Sequence, residues 1–186
     1  MHIIAGERRG AQLFAPKGMD TRPTQAKVKE SLFNIIQAYV PEASALDLFA
    51  GSGNLALEAL SRGAAFAVMV DVDREAQSCI RRNVEKLRFE QQTQLLRMDW
   101  RQAVAQLRTA GKQFDLVFLD PPYRMTELDE CCAALADAGL LAPECMLVLE
   151  HRTGVFHAPD SRFELLKERA YGDTEIHFYL YQPEGA

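Results

Sequence analysis

The fold of this chain is decided by residues 45–53, Ala45-Leu46-Asp47-Leu48-Phe49-Ala50-Gly51-Ser52-Gly53. The segment 45–49 is strand-like, because its residues are apolar apart from one aspartate. Gly51 and Gly53 follow, and without a Cβ they let the backbone pass close to a ligand. Residues 55–61 then have helical spacing, with Gly63 as a stop. A strand, a glycine loop and a helix in this order predict an α/β protein.

Strand and helix patterns continue to alternate toward the end of the chain. Further strands are predicted at 66–70, 93–98, 114–119, 145–150, 163–169 and 175–181, and further helices at 74–87, 101–108 and 126–138, with Thr126 as the cap of the last one. Repeated strand–helix units build a mostly parallel sheet that is covered on both faces. The last two strands join through residues 171–174 as a hairpin. We therefore predict a mostly parallel seven-stranded sheet closed by an antiparallel hairpin.

Residues 1–41 are predicted to form a small N-terminal extension of a main domain at 42–186. The extension comprises a short hairpin within 2–14 and a helix that Thr24 caps and Pro41 stops. Its first 40 residues carry six basic and three acidic side chains, although the whole chain has a net charge of −5. This basic segment is either a nucleic-acid docking patch or ordinary surface variation. The candidate phosphate contacts are Arg8, Arg9, Arg22, Lys27 and Lys29.

Composition places the chain among ordinary globular proteins. Hydrophobic residues make up 48% of the 186 positions and charged residues 25%. No apolar run approaches the roughly 18 residues of a membrane span, and the N-terminus lacks a signal-peptide core, so we expect a cytoplasmic protein. The four cysteines form no C-x-x-C pair and have no metal-ligand spacing with the four histidines, so no metal is expected.

Aspartates stand at the ends of successive predicted strands. Ligands of such sheets bind at these strand ends. Asp71 is placed to accept from two ribose hydroxyls and Asp99 from an adenine amine, with Trp100 as a stacking wall, while Asp47 suits the amino-acid end of a ligand. Any one aspartate is more often a helix cap, but together they match S-adenosylmethionine. The predicted cofactor contacts are Asp47, Phe49, Gly51, Ser52, Gly53, Asp71, Val72, Asp99, Trp100 and Asp120.

The same segment also satisfies the NAD-binding fingerprint. Gly51-x-Gly53-x-x-Ala56, with Asp71 twenty residues after Gly51, is the spacing that a dinucleotide site requires. Asp47 is not part of that pattern, however, and the turn at 120–123 has no role in hydride transfer. Asp99 at the end of the third strand, with Trp100 beside it, is also placed for an adenine amine. These three features favour S-adenosylmethionine over NAD.

The turn Asp120-Pro121-Pro122-Tyr123 follows the predicted strand 114–119. The prolines fix φ and lack N–H groups, so the turn is stiff, rich in acceptors and followed by an aromatic ring. Such a turn suits a planar group with an NH2, for example a nucleobase with an exocyclic amine. Asp120, Pro121, Pro122 and Tyr123 are therefore the predicted catalytic residues.

These motifs together resemble the RsmD family of class I, Rossmann-like methyltransferases. The resemblance rests on Ile3-Ile4-Ala5-Gly6, Thr21-Arg22-Pro23-Thr24, the glycine loop, Leu57-Glu58-Ala59-Leu60-Ser61-Arg62-Gly63-Ala64, the turn at 120–123 and Tyr171-Gly172-Asp173-Thr174. It implies transfer of a methyl group from S-adenosylmethionine to the N2 amine of a guanine in 16S rRNA. The acidic body and the small basic face favour an assembled or assembling small ribosomal subunit over free RNA as the substrate. The chain is expected to be a monomer.

Other functions remain open at the level of sequence. The turn at 120–123 is shared with N6-adenine methyltransferases, although a DNA enzyme of that kind usually carries a separate recognition region. An NAD-binding protein and a non-catalytic RNA-binding protein are alternatives of another class. Glu150, His151 and Tyr171 are expected to be structural residues or to lie at the rim of the site.

Overall fold

The computed structural model describes residues 1–17, 23–122, 125, 127–154 and 157–183, without the side chains of 23–25. The helices are α1 (Pro23–Ile35), α2 (Asn54–Ser61), α3 (Arg74–Leu87), α4 (Trp100–Thr109) and α5 (Leu128–Asp137). The strands are β1 (Ser44–Asp47), β2 (Phe66–Val70), β3 (Thr93–Leu96), β4 (Phe114–Leu119), β5 (Leu141–Arg152), β6 (Phe163–Tyr171) and β7 (Thr174–Tyr181). Within the described ranges, no helix is both long enough and apolar enough to cross a bilayer.

The strands form one sheet in the order β3-β2-β1-β4-β5-β7-β6. The neighbours from β3 to β5 pair in parallel, whereas β7 is antiparallel to both β5 and β6. This confirms the predicted sheet and its closing hairpin. Ala45 packs in the core on the side of α1, α2 and α3, and Leu46 packs on the side of α4 and α5. Alternate residues of each strand therefore belong to opposite faces.

Several element boundaries differ from the predicted ones; β1 and β3, for example, end at Asp47 and Leu96, two residues early. β5 begins at Leu141 instead of 145, with a register irregularity before Met146, because Glu144 takes a positive φ of 62°. α1 ends at Ile35, and residues 37–39 tighten into a 3-10 turn ahead of Pro41. The predicted hairpin at 2–14 is reduced to one bridge between His2 and Gln12. The predicted cap Thr126 lies outside the described residues, and α5 begins at Leu128.

The N-terminal segment packs directly on the body of the protein. Ile3 and Leu13 belong to the same hydrophobic core as α1, α2 and the sheet. Gly6 adopts a φ of +82°, and a Cβ there would lie 1.7 Å from the Ser61 carbonyl oxygen, so only glycine allows this approach. The division at residues 41 and 42 stays a prediction, but the two parts share one core.

Candidate active site

A cleft of about 410 Å³ opens at the carboxyl ends of the parallel strands. This is the position at which sheets of this kind bind ligands. Its walls are formed by Leu48, Phe49, Gly51, Asp71, Val72, Met98, Asp99, Trp100, Asp120, Pro121, Pro122 and Glu150. The structure thus brings together most of the residues predicted for the cofactor and for catalysis. Tyr123, the predicted stacking ring, lies outside the described residues.

Asp71 connects the end of β2 to the glycine loop. Its Oδ2 accepts from the Gly51 N–H at 2.8 Å, and its Oδ1 accepts from the Asp73 N–H at 2.9 Å. Gly51 has a positive φ of 56°, which brings its amide to the carboxylate. Each carboxylate oxygen has a second lone pair, so Asp71 can still accept from a ligand hydroxyl.

Asp99, Trp100 and Val72 line one end of the cleft. Asp99 is the N-cap of α4, where its Oδ1 accepts from the Arg101 N–H at 2.9 Å, and its side chain is exposed. Trp100 is mostly buried in the α4 core and presents only a small part of its surface to the cleft. Val72 is 72% exposed, which is unusual for valine. An exposed apolar side chain near two carboxylates suits an aromatic ring with polar edges.

Three predicted cofactor residues lie behind the cleft wall. Ser52 is buried, and its Oγ donates to the Met1 sulfur at 3.0 Å. Gly53 caps α2 with a φ of 79°, and a Cβ there would lie 3.0 Å from the Met69 sulfur. Asp47 is only 2% exposed. These three residues support the glycine loop from behind. A ligand in the cleft would contact the residues that line it instead.

Asp47, Asp120 and Glu150 form a row of carboxyls on one face of the sheet. Asp47 is paired with Phe118 of β4, and Asp120 comes two residues later on the same face. Leu119 pairs with Leu149, so Asp120, the first residue after β4, and Glu150 of β5 follow side by side. Burial raises the pKa of Asp120 to about 6. Burial and the neighbouring Asp120 raise the pKa of Glu150, and likewise that of Asp47, to about 8.

Glu150 was expected to be structural or to lie at the rim, yet it lines the cleft beside Asp120. The sequence contains a signal for this position. Glu150 ends its apolar run in the same way as Asp120 ends the run of β4. When the apolar runs of two neighbouring parallel strands end at the same level of the sheet, the residues that follow them lie side by side.

Replacing Asp47 with asparagine (Asp47→Asn) should flatten the pH dependence of folding stability. The folded protein retains the Asp47 proton up to a pKa of about 8, whereas an unfolded aspartate releases it near about 3.9. Wild-type stability therefore falls as pH rises through this window. Between about pH 5 and 7, the free energy of unfolding of the variant should decline less steeply than that of wild type, by about 1.4 kcal/mol per pH unit. Urea unfolding across this range measures it, and identical slopes for the two proteins would contradict the expectation.

Comparison with known proteins identifies the family of this chain. The family model described as "Conserved hypothetical protein 95" matches residues 1–180. The protein "Ribosomal RNA small subunit methyltransferase D" of Escherichia coli (strain K12) is 35% identical over 187 residues, covering 100% of this chain and 92% of that protein. The chain belongs to the RsmD family.

Two further RsmD-family comparisons cover the whole length. The protein YlbH of Bacillus subtilis (strain 168) is 36% identical over 181 residues, covering 96% of this chain and 98% of that protein. The solved structure of yhhF from Escherichia coli superposes with a TM-score of 0.89 at 32% identity and covers 99% of both chains. The predicted class I methyltransferase fold is thereby confirmed.

The basic residues predicted to contact RNA occupy different environments in this RsmD-family chain. Arg9 and Lys27 are exposed. Arg8 is partly exposed, but its Nε donates to the Leu87 carbonyl at 2.7 Å and its guanidinium lies 5.2 Å from the Phe89 ring centre. Arg22 lies outside the described residues. Among the predicted contacts that the structure describes, Arg9 and Lys27 are the most exposed.

Lys29 has a structural role instead of the predicted RNA contact. Only 4% of it is exposed, and its Nζ pairs with Glu58 Oε2 at 2.9 Å. The same ammonium donates to the His2 carbonyl at 2.8 Å and to Asn54 Oδ1 at 2.7 Å. These three partners use its three N–H donors, so none remains for a phosphate.

His151, Glu175 and His177 form an imidazole–carboxylate cluster on the face opposite Glu150. The two Nε2 atoms lie 4.0 and 3.8 Å from Glu175 Oε2. Spacing along the sequence did not predict this cluster, because antiparallel pairing of β5 with β7 brings the residues together. Ligands of one tetrahedral zinc lie about 3.3 Å apart, so this cluster is wider than a zinc coordination sphere. The expected absence of a metal stays a prediction.

Proposed function

We propose that this chain transfers a methyl group from S-adenosylmethionine to the N2 amine of a guanine in small-subunit (16S) rRNA. The observation that carries the proposal is the position of Asp120, Pro121 and Pro122 in the same cleft as Asp71 and Asp99. This places an acceptor-rich turn beside residues that suit an adenosine. The E. coli relative, named as a small-subunit rRNA methyltransferase, supports rRNA as the substrate.

The cleft residues fit S-adenosylmethionine at two points. Asp71 retains lone pairs for the ribose hydroxyls, and Gly51 lets the backbone approach the ligand closely. Val72 can cover the adenine face while Asp99 accepts from the adenine amine. When bound, the cofactor supplies an electrophilic methyl: the nitrogen–carbon bond forms as the carbon–sulfur bond breaks, a thioether leaves, and the amine gives up one proton.

The protein acts mainly by orienting the amine. The lone pair of the amine nitrogen is delocalised into the base, so this nitrogen is a poor nucleophile. Acceptance of its two hydrogens by the Asp120 carboxylate and the Pro121 carbonyl holds the lone pair toward the methyl donor. We assign the stacking of the base to Tyr123. With a pKa of about 6, Asp120 is ionised at neutral pH and can receive the released proton. Positioning and electrostatic stabilisation therefore carry the reaction.

A basic groove beside the cleft gives RNA a path to it. The groove lies between α1 and β6 and is lined by Lys27, Glu30, Ser31, Asn34, Ile35, Lys167 and Arg169. Glu150 pairs with Ile176, and Ile176 pairs with Arg169. The three residues thus share one row and one face, which puts the Cα of Arg169 about 10 Å from that of Glu150. A phosphate backbone in the groove would therefore run past the base-binding end of the cleft.

The double variant Lys167→Ala/Arg169→Ala should weaken RNA binding without slowing methyl transfer. Loss of two phosphate contacts should raise the KM for the ribosomal substrate about 10-fold and lower the salt slope of binding by about 2. The kcat should stay near wild type, because neither side chain lines the cleft. The control is Arg108→Ala/Lys112→Ala. It also removes two positive charges, but near the C-terminal end of α4, whereas the cleft lies at the N-terminal end of that helix. An unchanged KM would exclude the groove as the RNA path.

Methylation of ribosomal subunits tests the proposed function. Small subunits from cells that lack the activity are incubated with labelled S-adenosylmethionine, and the rRNA is digested to nucleosides. Label in N2-methylguanosine is expected, whereas label in N6-methyladenosine would establish the adenine alternative. Calorimetric titration separates the cofactors, since binding of NAD without binding of S-adenosylmethionine would refute the proposal.

Protein-free rRNA provides a second arm of the same assay. The body of the protein is acidic and its basic groove is small, so free RNA should bind weakly. We therefore expect an assembled or assembling subunit to be methylated faster than naked 16S rRNA. Equal rates on both would contradict this part of the proposal.

A further inference from the structure

The turn at Asp120 does not by itself distinguish guanine from adenine. Both bases carry an exocyclic NH2, and both could place its two hydrogens on the Asp120 carboxylate and the Pro121 carbonyl. The bases differ at N1, the ring nitrogen next to the amine. Guanine N1 carries a hydrogen and is a donor, whereas adenine N1 has a bare lone pair and is an acceptor. A cleft that selects guanine needs an acceptor beside the one that binds the amine.

Glu150 is placed to be that second acceptor. Leu119 and Leu149 are register partners in parallel strands, so the Cα atoms of Asp120 and Glu150 lie about one strand spacing, 4.8 Å, apart. Both side chains lie on the same sheet face, and both residues line the cleft. The amine and N1–H of guanine are neighbouring donors on one edge of the ring. Two adjacent carboxyls therefore match that edge.

The Glu150 carboxyl is available to a ligand. Within the part of the chain that the structure describes, no hydrogen bond or ion pair engages it, although it is half-buried. Carboxyls in such surroundings normally have partners. Burial and the nearby Asp120 carboxyl raise its pKa to about 8. A donated N1–H and a sulfonium in the cleft both favour the ionised form.

We propose that Glu150 forms, with Asp120, a guanine-binding subsite in which Glu150 accepts the N1–H while Asp120 accepts from the N2 amine. This inference rests on the proposed methyltransferase function. With S-adenosylmethionine bound, the sulfonium keeps Glu150 ionised, and an adenine presented in the same way would direct its N1 lone pair at that carboxylate. That contact is repulsive and leaves a buried charge without a partner. Glu150 thus selects the base, while Asp120 and Pro121 orient the amine.

A purine that keeps the amine and lacks N1–H tests the subsite. 2-Aminopurine is such a base, and it can be incorporated into reconstituted small subunits at the nucleotide that the methylation assay identifies. Wild-type protein should prefer guanine over 2-aminopurine by about 100-fold or more in kcat/KM. Glu150→Gln should reduce this preference to about 5-fold or less, because an amide can donate to the bare N1 as well as accept from N1–H.

Controls separate a subsite from a general defect. Glu150→Ala should lose activity on guanine by at least about 10-fold, with a smaller loss on 2-aminopurine. Glu164→Gln, an exposed glutamate on β6, should keep the wild-type preference. Binding of S-adenosylmethionine to Glu150→Gln should stay within a few-fold of wild type, which shows that the variant is folded.

Two results with Glu150→Gln would overturn the inference, and a third result, with the wild type, would overturn it together with the proposed function. If Glu150→Gln keeps the full preference for guanine, or loses both substrates equally together with the cofactor, Glu150 does not read N1 and the methyltransferase assignment still stands. If the wild-type protein methylates neither the small subunit with guanine nor the one with 2-aminopurine, the proposed function fails, and the subsite fails with it.

Discussion

Asp120→Ala should reduce the rate of methyl transfer by about 10³-fold while S-adenosylmethionine binding stays within a few-fold of wild type. The carboxylate is the only ionised acceptor of the turn, and Pro121 contributes a carbonyl alone. Without Asp120, the amine loses one of its two fixed partners and the lone pair is no longer held toward the methyl donor. Single-turnover transfer to small subunits measures the rate, and calorimetry measures cofactor affinity.

The control for this prediction is Asp129→Ala, which removes a carboxyl from the first turn of α5. It should leave both the rate and the affinity close to wild type. An Asp120 variant with wild-type rate would contradict the assignment of catalysis to the turn. A variant that loses cofactor affinity and rate by the same factor would show that Asp120 holds the cofactor instead of the base.

Glu58→Ala should lower the free energy of unfolding by about 3–5 kcal/mol. Glu58 is fully buried and accepts the backbone N–H groups of Ile4 and Ala5 at 2.8 and 3.0 Å. It also pairs with Lys29 at 2.9 Å and with Arg62 at 2.8 Å. Although burial opposes ionisation, Lys29 and these other partners lower the pKa of Glu58. Its removal leaves the Lys29 ammonium buried without its counter-charge and two amides without acceptors.

Urea unfolding of wild type, Glu58→Ala and Glu164→Ala measures this effect. The exposed Glu164 should cost less than about 0.5 kcal/mol. A cost for Glu58→Ala as small as that of the control would mean that the buried pair is not what holds the N-terminal segment. In that case the structural role assigned to Lys29 would also be wrong.

The parallel sheet could be predicted because apolar strand runs and helical spacing alternate over most of the chain. The positions of Asp71, Asp99 and Asp120 followed from the same pattern, since parallel strands bring their carboxyl ends to one edge. The burial of Asp47 did not follow, because its distance behind the cleft wall depends on how the loop at 49–53 folds over it.

The basic charge of the N-terminal segment predicts an RNA contact at Lys29, but the position of Lys29 around helix α1 predicts burial. Lys29 falls on the stripe formed by Leu32, Phe33 and Ile36, all of which are buried. Its counter-charge, Glu58, is an acidic residue within the apolar run of α2. Both signals were present in the sequence, but only the tertiary contact between the two helices shows that they form one buried pair.

The contacts of the N-terminal segment constrain the order in which the chain can complete its fold. Ile4 and Ala5 bond to Glu58, 54 and 53 positions later, and Ser31 of α1 accepts from the Tyr171 hydroxyl, 140 positions later. Ser31 therefore acquires this partner only when β6 has been made, long after α1. Closing such long loops is slow. Truncation of the chain before Tyr171 would leave α1 without this contact to the closing hairpin, so α1 and the hairpin complete their packing together.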